Sequence, residues 1–549
     1  MEILRAGVAR PAGKSLCRTK NPGQTALLPS QISPVSTRLY FRRLLALLAL
    51  PAAVRAEVTL APLFTDHAVL QCDKPVPVWG RADAGEKVTV TFHGQAISAT
   101  TGADGRWIVY LEKLAASAEP AELVVTGRNT VTVRDVLVGE VWLASGQSNM
   151  EWPVNKARDA AQEMAAANFP LIRHVRIEHT VATAPADTVK TSGWQPASPA
   201  TVGGFTAVGY FFARDLHRKL GVPVGIIHSS WGGTAIESWM SDASRRSTSL
   251  AALLDARWKK DVAAWTPERI ARYPADMTAW LKADASAKAA HKKNRLPWPK
   301  PPATTDSPSL PGGLFNGMIA PLQPGALRGI LWYQGESNAE HPEEYAELFT
   351  TMIRAWRANW SQGDPSTNSG QALPFYFVQI PNYGPDEEAR GRNWAQLREA
   401  QTKALVLPNT GMAVTIDVGD AEILHPINKQ EVGRRLALIA KTKVYGIPGD
   451  CSGPEFSGAV REGAALRVKF THADGGLISH DKPVQSLEIA GEDKVFHAAT
   501  AKLQRDTLLV SAPAVREPVA VRYAWINAPV ANLYNGAGLP AAPFRSDNW

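Results

Sequence analysis

Along the chain the apolar positions change period twice. From Glu57 to about Val138, short alternating or β-branched runs such as VPVWG, EKVTVTFHG, GRWIVYL, AELVVTG and NTVTVRDVLVG are punctuated by Gly, Asp and Asn. Period-two alternation buries one face of each strand, so residues 57–137 are predicted to form an all-β sandwich. From 138 to 444 the runs become nearly continuous apolar strands: VGEVWLAS, PVGIIHSS, LRGILWYQG, PFYFVQI and GMAVTIDVGD. Helix-length segments such as FFARDLHRKL, YAELFTTMIRAWRANW and NWAQLREAQTKALVL separate them. Strands that are apolar throughout are covered on both faces, so this region is predicted to be a three-layer α/β domain with a mostly parallel sheet. After about Tyr445 the β pattern returns in AALRVKFTH, QSLEIAG, TLLVSAP and VAVRYAWIN, a second antiparallel unit over 445–549.

Two stretches interrupt the α/β alternation. Over about 247–311 the composition shifts to Ala, Lys, Trp and Pro, with a helical fragment LAALLDARWKKDVAAW followed by the stiff run PWPKPPATTDSPSLP. This reads as an insertion, a small helical lid or a surface excursion. The polar, turn-rich SQGDPSTNSGQA at 361–372 reads as a loop.

Charge is confined to one end. Residues 1–56 carry nine Lys or Arg against Glu2 alone, and the rest of the chain balances 50 basic against 50 acidic residues. The excess therefore argues for a targeting segment and not for nucleic-acid binding. Arg42-Arg43, the apolar run LLALLALPAAV and Val54-Arg55-Ala56 have the order of an export signal, with cleavage predicted near Ala56. The apolar run falls short of the ~20 residues a membrane span needs, so the mature chain is expected to be periplasmic or extracellular, with no span. Without the leader, Cys72 and Cys451 remain, which reads as two buried free thiols. The spacing of Cys and His suggests neither a metal nor a cofactor.

Four motifs lie just after apolar strands, where open α/β sheets bind ligands. GQSNM, Gly146 to Met150, follows VWLAS; in such a turn the Ser148 hydroxyl clears the sheet and its own N–H faces the same space, serving a nucleophile and half an oxyanion hole. SSWGGTAIESW follows PVGIIH, and Gly232 and Gly233 there offer unobstructed amides as a second oxyanion donor. Gln334-Gly335-Glu336-Ser337-Asn338 follows GILWY; Gln334 or Asn338 can donate a neutral third hydrogen bond, and Glu336 can orient its neighbours or cap the next helix. His425, in DVGDAEILHPINKQEVGRRLALIA, follows MAVTID and precedes an amphipathic helix. Acyl transfer needs such a base for the serine and a carboxylate to orient the imidazole; Asp420 and Glu422 are the near candidates, with Asp417 third.

In this order the motifs resemble those of the SGNH hydrolase superfamily and, within it, the sialate O-acetylesterase family. The resemblance is carried by GEVWLASGQSNMEWPV, IIHSSWGGTAIESWM, LFNGMIAPL, GILWYQGESNA, HPINKQEVGRRLA and YAWINAPVANLYNGAGLPAAPFRSD, and spans nearly everything from Glu57 onward. It implies a three-layer, flavodoxin-like core between an N-terminal β-sandwich and a C-terminal β unit. It implies a cofactor-free serine esterase with Ser148 as nucleophile, His425 as base, and oxyanion donors from Gly232-Gly233 and the QGESN turn. The expected substrate is an acetylated carbohydrate, either sialic acid or a plant cell-wall glycan such as xylan or xyloglucan. The superfamily usually has an aspartate three residues before the histidine, where this chain has Glu422; the family's acid corresponds better to Asp420, which is favoured, with Glu422 as the alternative. Steering by a backbone carbonyl stays open. Of the tryptophans flanking the site, Trp231 and Trp239 are assigned to substrate together with Glu336, while His228 reads as a strand-end histidine. The competing reading is an exported glycan-binding protein with a vestigial hydrolase core.

Overall fold

The apolar strands of the middle region assemble into one sheet in the computed structural model, which describes residues 57–290, 296–361, 372–384 and 391–549. The strands are β1 (Thr130–Gly146), β2 (Phe169–Arg176), β3 (Gln195–Ala197), β4 (Val224–Ser230), β5 (Gly329–Tyr333), β6 (Phe375–Val378) and β7 (Thr410–Ala413). Their spatial order is β3-β2-β4-β1-β5-β6-β7. Every neighbouring pair is parallel except the edge strand β3 on β2.

The burial of these strands explains their composition. All residues of β4, β5, β6 and β7 are buried, because helices cover both faces. Alternate side chains go to opposite layers: Ile330, Trp332, Phe375 and Phe377 join one core, whereas Leu331, Tyr333, Tyr376 and Val378 join the other. The helices that use these faces are α1 (Ser148–Glu151), α2 (Ala207–Leu220), α3 (Pro342–Ser361), α4 (Asn393–Thr402) and α5 (Lys429–Lys443). Residues of α3 and α4 fill the first core, and those of α2 and α5 fill the second. The side chain of Thr206 caps α2 by accepting from the Gly209 N–H, and that of Asn428 caps α5 by accepting from the Glu431 N–H. Helices α2 and α5 touch at Gly433, where a Cβ would lie 2.7 Å from Phe211 Cβ and 2.8 Å from the Phe212 nitrogen.

The boundary expected at 137/138 falls inside a single strand. The first half of β1 pairs antiparallel with Ser117–Thr126, and its second half pairs in parallel with β4 and β5. The N-terminal β region and the α/β layer therefore share one continuous backbone, and residues 55–549 form one compact unit. At the other end, antiparallel strands build two four-stranded sheets between Glu455 and Arg545. They are tied to α4 by Arg545 on Glu399 and by the Trp394 amide donating to Asn527 Oδ1 at 3.0 Å.

The 247–311 region contributes helices Ala251–Ala263 and Pro267–Ala289. Leu254 anchors the first in the core and Arg257 pairs with Glu344 of α3, but Leu253, Val262, Ile270 and Leu281 face solvent. It is an excursion on the surface. Asn155 to Ala167, which reads as a helix, is instead a 3₁₀ turn, Val154–Lys156, followed by the short helix Ala160–Ala165. Cys72 and Cys451 are free thiols. Among the described residues no helix is long and apolar enough to cross a membrane. The expected leader, 1–56, and most of the 361–372 loop lie outside the described residues.

Candidate active site

The turn that carries Ser148 is shaped by a close approach of two strands. Gly146 ends β1 at φ 136°, and a Cβ there would sit 2.2 Å from the carbonyl oxygen of Tyr333, the last residue of β5. Only glycine fits both the space and the backbone. The Gln147 N–H then donates to that carbonyl at 2.9 Å, and Gln147 Oε1 accepts from the amides of Gly335 and Ser337, each at 3.3 Å. The turn is thereby bound to the QGESN segment. Ser148 opens α1, so its N–H lies outside the helical ladder.

His425 arrives on the long loop between β7 and α5, with Nε2 2.7 Å from Ser148 Oγ. Its ring stacks on Trp152, centroids 5.0 Å apart and planes inclined by 22°. Trp152 is fixed in turn by its Nε1–H, which donates to the Lys156 carbonyl at 2.8 Å. A serine hydroxyl and an imidazole in direct hydrogen bond, both half-buried at the carboxyl edge of a parallel sheet, can carry out nucleophilic attack with general-base assistance.

The other expected residues are placed less uniformly. Asp420 turns into its own loop, where Oδ1 accepts from the amides of Glu422 and Ile423 at 2.7 and 3.2 Å. Asp420 is thereby engaged within its own loop. Asp417 is engaged in a bidentate pair with Arg435, both contacts at 2.7 Å, and is structural. Gly232 approaches Ser148 closely, but its N–H is already taken, donating to Glu151 Oε2 at 2.8 Å. That amide is therefore engaged with a carboxylate in this structure. The N–H groups of Ser148 and Gly233 have no protein acceptor among the described residues. Gln334 is fully buried and committed: Nε2 donates to Asn338 Oδ1 at 2.7 Å and to the Thr234 carbonyl at 3.2 Å, and Oε1 accepts from Tyr345. Asn338 is committed as well, with Nδ2 on Glu237 at 3.0 Å and Oδ1 accepting from the Ile236 N–H. These two amides brace the site without facing it.

The substrate assignments divide in the same way. Trp239 is a core residue, fully buried, with Nε1 on Thr234 Oγ1 and its ring against Trp332. Glu336 points inward: Oε1 accepts from Asn149 at 2.5 Å and Oε2 is shielded from solvent. Trp231 keeps exposed surface, its ring stacked on His179 at 4.0 Å with planes 6° apart. His228 and Ser230 form a second Ser–His contact at 2.5 Å, but both are buried, and burial holds the His228 imidazole neutral, well below its usual range.

Four features are not readable from the motifs. Trp152 orients His425. Glu151, one turn after Ser148, holds the Gly232 turn and also meets Arg176 and His179 at 2.9 and 3.0 Å. Burial pushes its carboxyl up, but His179, the Gly232 amide and Arg176 together hold it below the ordinary range. Asn149 and Lys429, both fully buried, meet beneath the nucleophile. The only signal for them was adjacency, Asn149 to Ser148 and Lys429 one turn beyond His425.

Comparison with known proteins identifies the family. The family described as carbohydrate esterase, sialic acid-specific acetylesterase, matches residues 138–264 and 312–441, leaving out most of the helical excursion. The sialate O-acetylesterase of Rattus norvegicus is 30% identical over 515 residues, which is 85% of this chain and 90% of the relative. That of Homo sapiens is 27% identical over 518 residues, 85% of this chain and 88% of the relative. The crystal structure of a carbohydrate acetylesterase from Xanthomonas citri superposes with a TM-score of 0.75 at 38% identity, covering 90% of this chain and 100% of that one. The chain belongs to the sialate O-acetylesterase family and is a carboxylic ester hydrolase.

Proposed function

We propose that the protein is an exported serine O-acetylesterase that removes acetyl groups from glycans, with Ser148 as nucleophile and His425 as general base. The observation that carries the reading is the 2.7 Å hydrogen bond between His425 Nε2 and Ser148 Oγ. Ser148 Oγ attacks the acetyl carbonyl carbon as Nε2 takes its proton. The oxyanion is held by the N–H groups of Ser148 and Gly233, neither of which has a protein acceptor among the described residues. The intermediate collapses by breaking the bond to the sugar oxygen, which receives the proton from His425. Water then attacks the acetyl-serine, again giving its proton to His425, and acetate leaves. The exposed face of Trp231 supports a sugar ring next to the nucleophile. Export is supported by the order of charge and apolar run in residues 1–56.

The substrate classes are sialic acid conjugates and acetylated xylan or xyloglucan. The test is acetate release from a panel of these by the leader-less protein and by Ser148→Ala. Release from one class that disappears in the variant supports nucleophile and substrate together. Glycan retention on a column without acetate release from any of them overturns the reading in favour of a binding protein.

A further inference from the structure

We infer that Asn149, held in one orientation by Lys429, is a positioning residue that sets the Ser148–His425 hydrogen bond. The inference rests on the reading of Ser148 and His425 as nucleophile and base. The Asn149 carboxamide makes three contacts that join four segments of the chain. Its Nδ2 donates to the carbonyl of Leu424, the residue before His425, at 3.1 Å, and to Glu336 Oε1 of the QGESN turn at 2.5 Å. Its Oδ1 accepts from Lys429 Nζ on α5. Its own backbone continues from Ser148 in α1. The nucleophile turn, the histidine loop, the turn after β5 and the start of α5 are thus clasped by one side chain.

Lys429 gives the clasp its direction. An ammonium only donates, so the atom facing it must be Oδ1, and both Nδ2 protons are then directed at Leu424 and Glu336. An alkyl chain in its place would leave Oδ1 without a donor and the carboxamide held by its two acceptors alone. Lys429 is fully buried, with Nζ 5.3 Å from the Tyr333 ring and 5.9 Å from the Trp152 ring that carries His425. Burying an ammonium is costly, and packing alone would be served better by an apolar residue of similar length. Burial pushes the Lys429 ammonium down to about 7, against the pull of Glu336. Glu336, on the other side of the carboxamide, favours the ammonium electrostatically, while burial raises its own carboxyl above the usual range and the nearby Lys429 only partly offsets this.

The test compares Lys429→Met, Asn149→Ala and the double variant with the parent protein. The readouts are kcat and KM on p-nitrophenyl acetate, the second-order rate of Ser148 inactivation by diethyl p-nitrophenyl phosphate, and Tm. A misplacement of the reacting pair by about 1 Å costs on the order of 100-fold. The expected result is a loss of about 10- to 100-fold in both kcat and inactivation rate in each single variant, with KM held within about twofold. The double variant should lose no more than Asn149→Ala alone, because Lys429 acts through Asn149. Single variants that keep the parent kcat and inactivation rate overturn the inference, as does a double variant whose loss is the product of the two. Should Asn149→Ala fail to fold, the isosteric Lys429→Met carries the test by itself. Ser148→Ala and His425→Ala run alongside: activity surviving in them refutes the nucleophile and base assignment, whereas activity lost in them and kept in the Asn149 and Lys429 variants refutes only the clasp.

Discussion

Trp152 offers a direct measure of how the site treats the proton that moves. The His425 ring lies on its indole, 5.0 Å between centroids at 22°, while Lys156 and Lys429 sit 5.7 and 5.9 Å from the same ring. On the proposed mechanism the imidazole becomes an imidazolium when Ser148 attacks, and the stack gains a cation–π attraction that exists only from that moment. Such contacts contribute about 0.5 to 2 kcal/mol. The two lysines draw on the same ring and Trp152 is partly open to solvent, which favours the lower part of that range, about 0.5–1.5 kcal/mol. Trp152→Ala should therefore lower kcat by about 2- to 12-fold and leave KM within about twofold. Trp152→Phe, which restores an aromatic face without the Nε1–H, should recover at least half of that loss on a logarithmic scale. Initial rates on p-nitrophenyl acetate and on acetylated xylo-oligosaccharides at neutral pH read both parameters. A raised KM with unchanged kcat would refute the argument and make Trp152 a substrate surface.

Three further outcomes follow from named contacts. Gly146→Ala drives a methyl into the Tyr333 carbonyl, so kcat for acetate release should fall by on the order of 100-fold or more, with the circular dichroism spectrum of the folded protein retained. Glu151 has a carboxyl held below the ordinary range, so its contribution to stability is present above the unfolded carboxylate value of about 4.3 and is lost as pH falls through the lower folded value; urea midpoints of the parent and Glu151→Gln should differ at neutral pH and converge in acid. Asp417→Ala removes the bidentate partner of the buried Arg435 guanidinium, which keeps Glu431, and should cost about 1.5–3 kcal/mol in unfolding free energy, whereas a catalytic acid would show its loss mainly in kcat.

What the sequence reveals here tracks what local pattern can encode. Strands buried on both faces are apolar throughout, so β4, β5 and β6 were legible, and so were the turns that follow them. The meeting of Ser148 with His425 was legible because each residue lies in a segment of recognisable composition at a strand end. The oxyanion donors were legible only in part. Whether the Gly232 amide is free depends on Glu151, whose reach across to the second turn is a tertiary fact with no period in the sequence. Gln334 and Asn338 have the right chemistry, but hydrogen-bonded to each other and to Tyr345 and Glu237 they spend it inside the protein. Trp239 and Trp231 stand in the same motif, and only packing separates the core ring from the exposed one. The boundary expected at 137/138 is a change of composition and not a break in the backbone, since the hydrogen-bond ladder of β1 runs through it.

The topology also explains why this site needs a clasp. From β1 the chain builds β2, β3 and β4 on one side of the sheet and then crosses to build β5, β6 and β7 on the other. The reversal is centred on β1, and a crevice opens at the carboxyl end of the strand where such a switch occurs. Ser148 stands there, and the QGESN turn after β5 stands beside it. His425 cannot come from a neighbouring strand, because its loop leaves β7, three strands and about 14 Å away. A loop running from Val414 to Asn428 has many ways to place an imidazole and only a few that meet Ser148 Oγ. The contact from Asn149 to the Leu424 carbonyl removes that freedom one residue before His425, and the Trp152 stack removes it at the ring itself. Both restraints originate in the turn that carries the nucleophile, so Ser148 and the groups that position its base move as one piece.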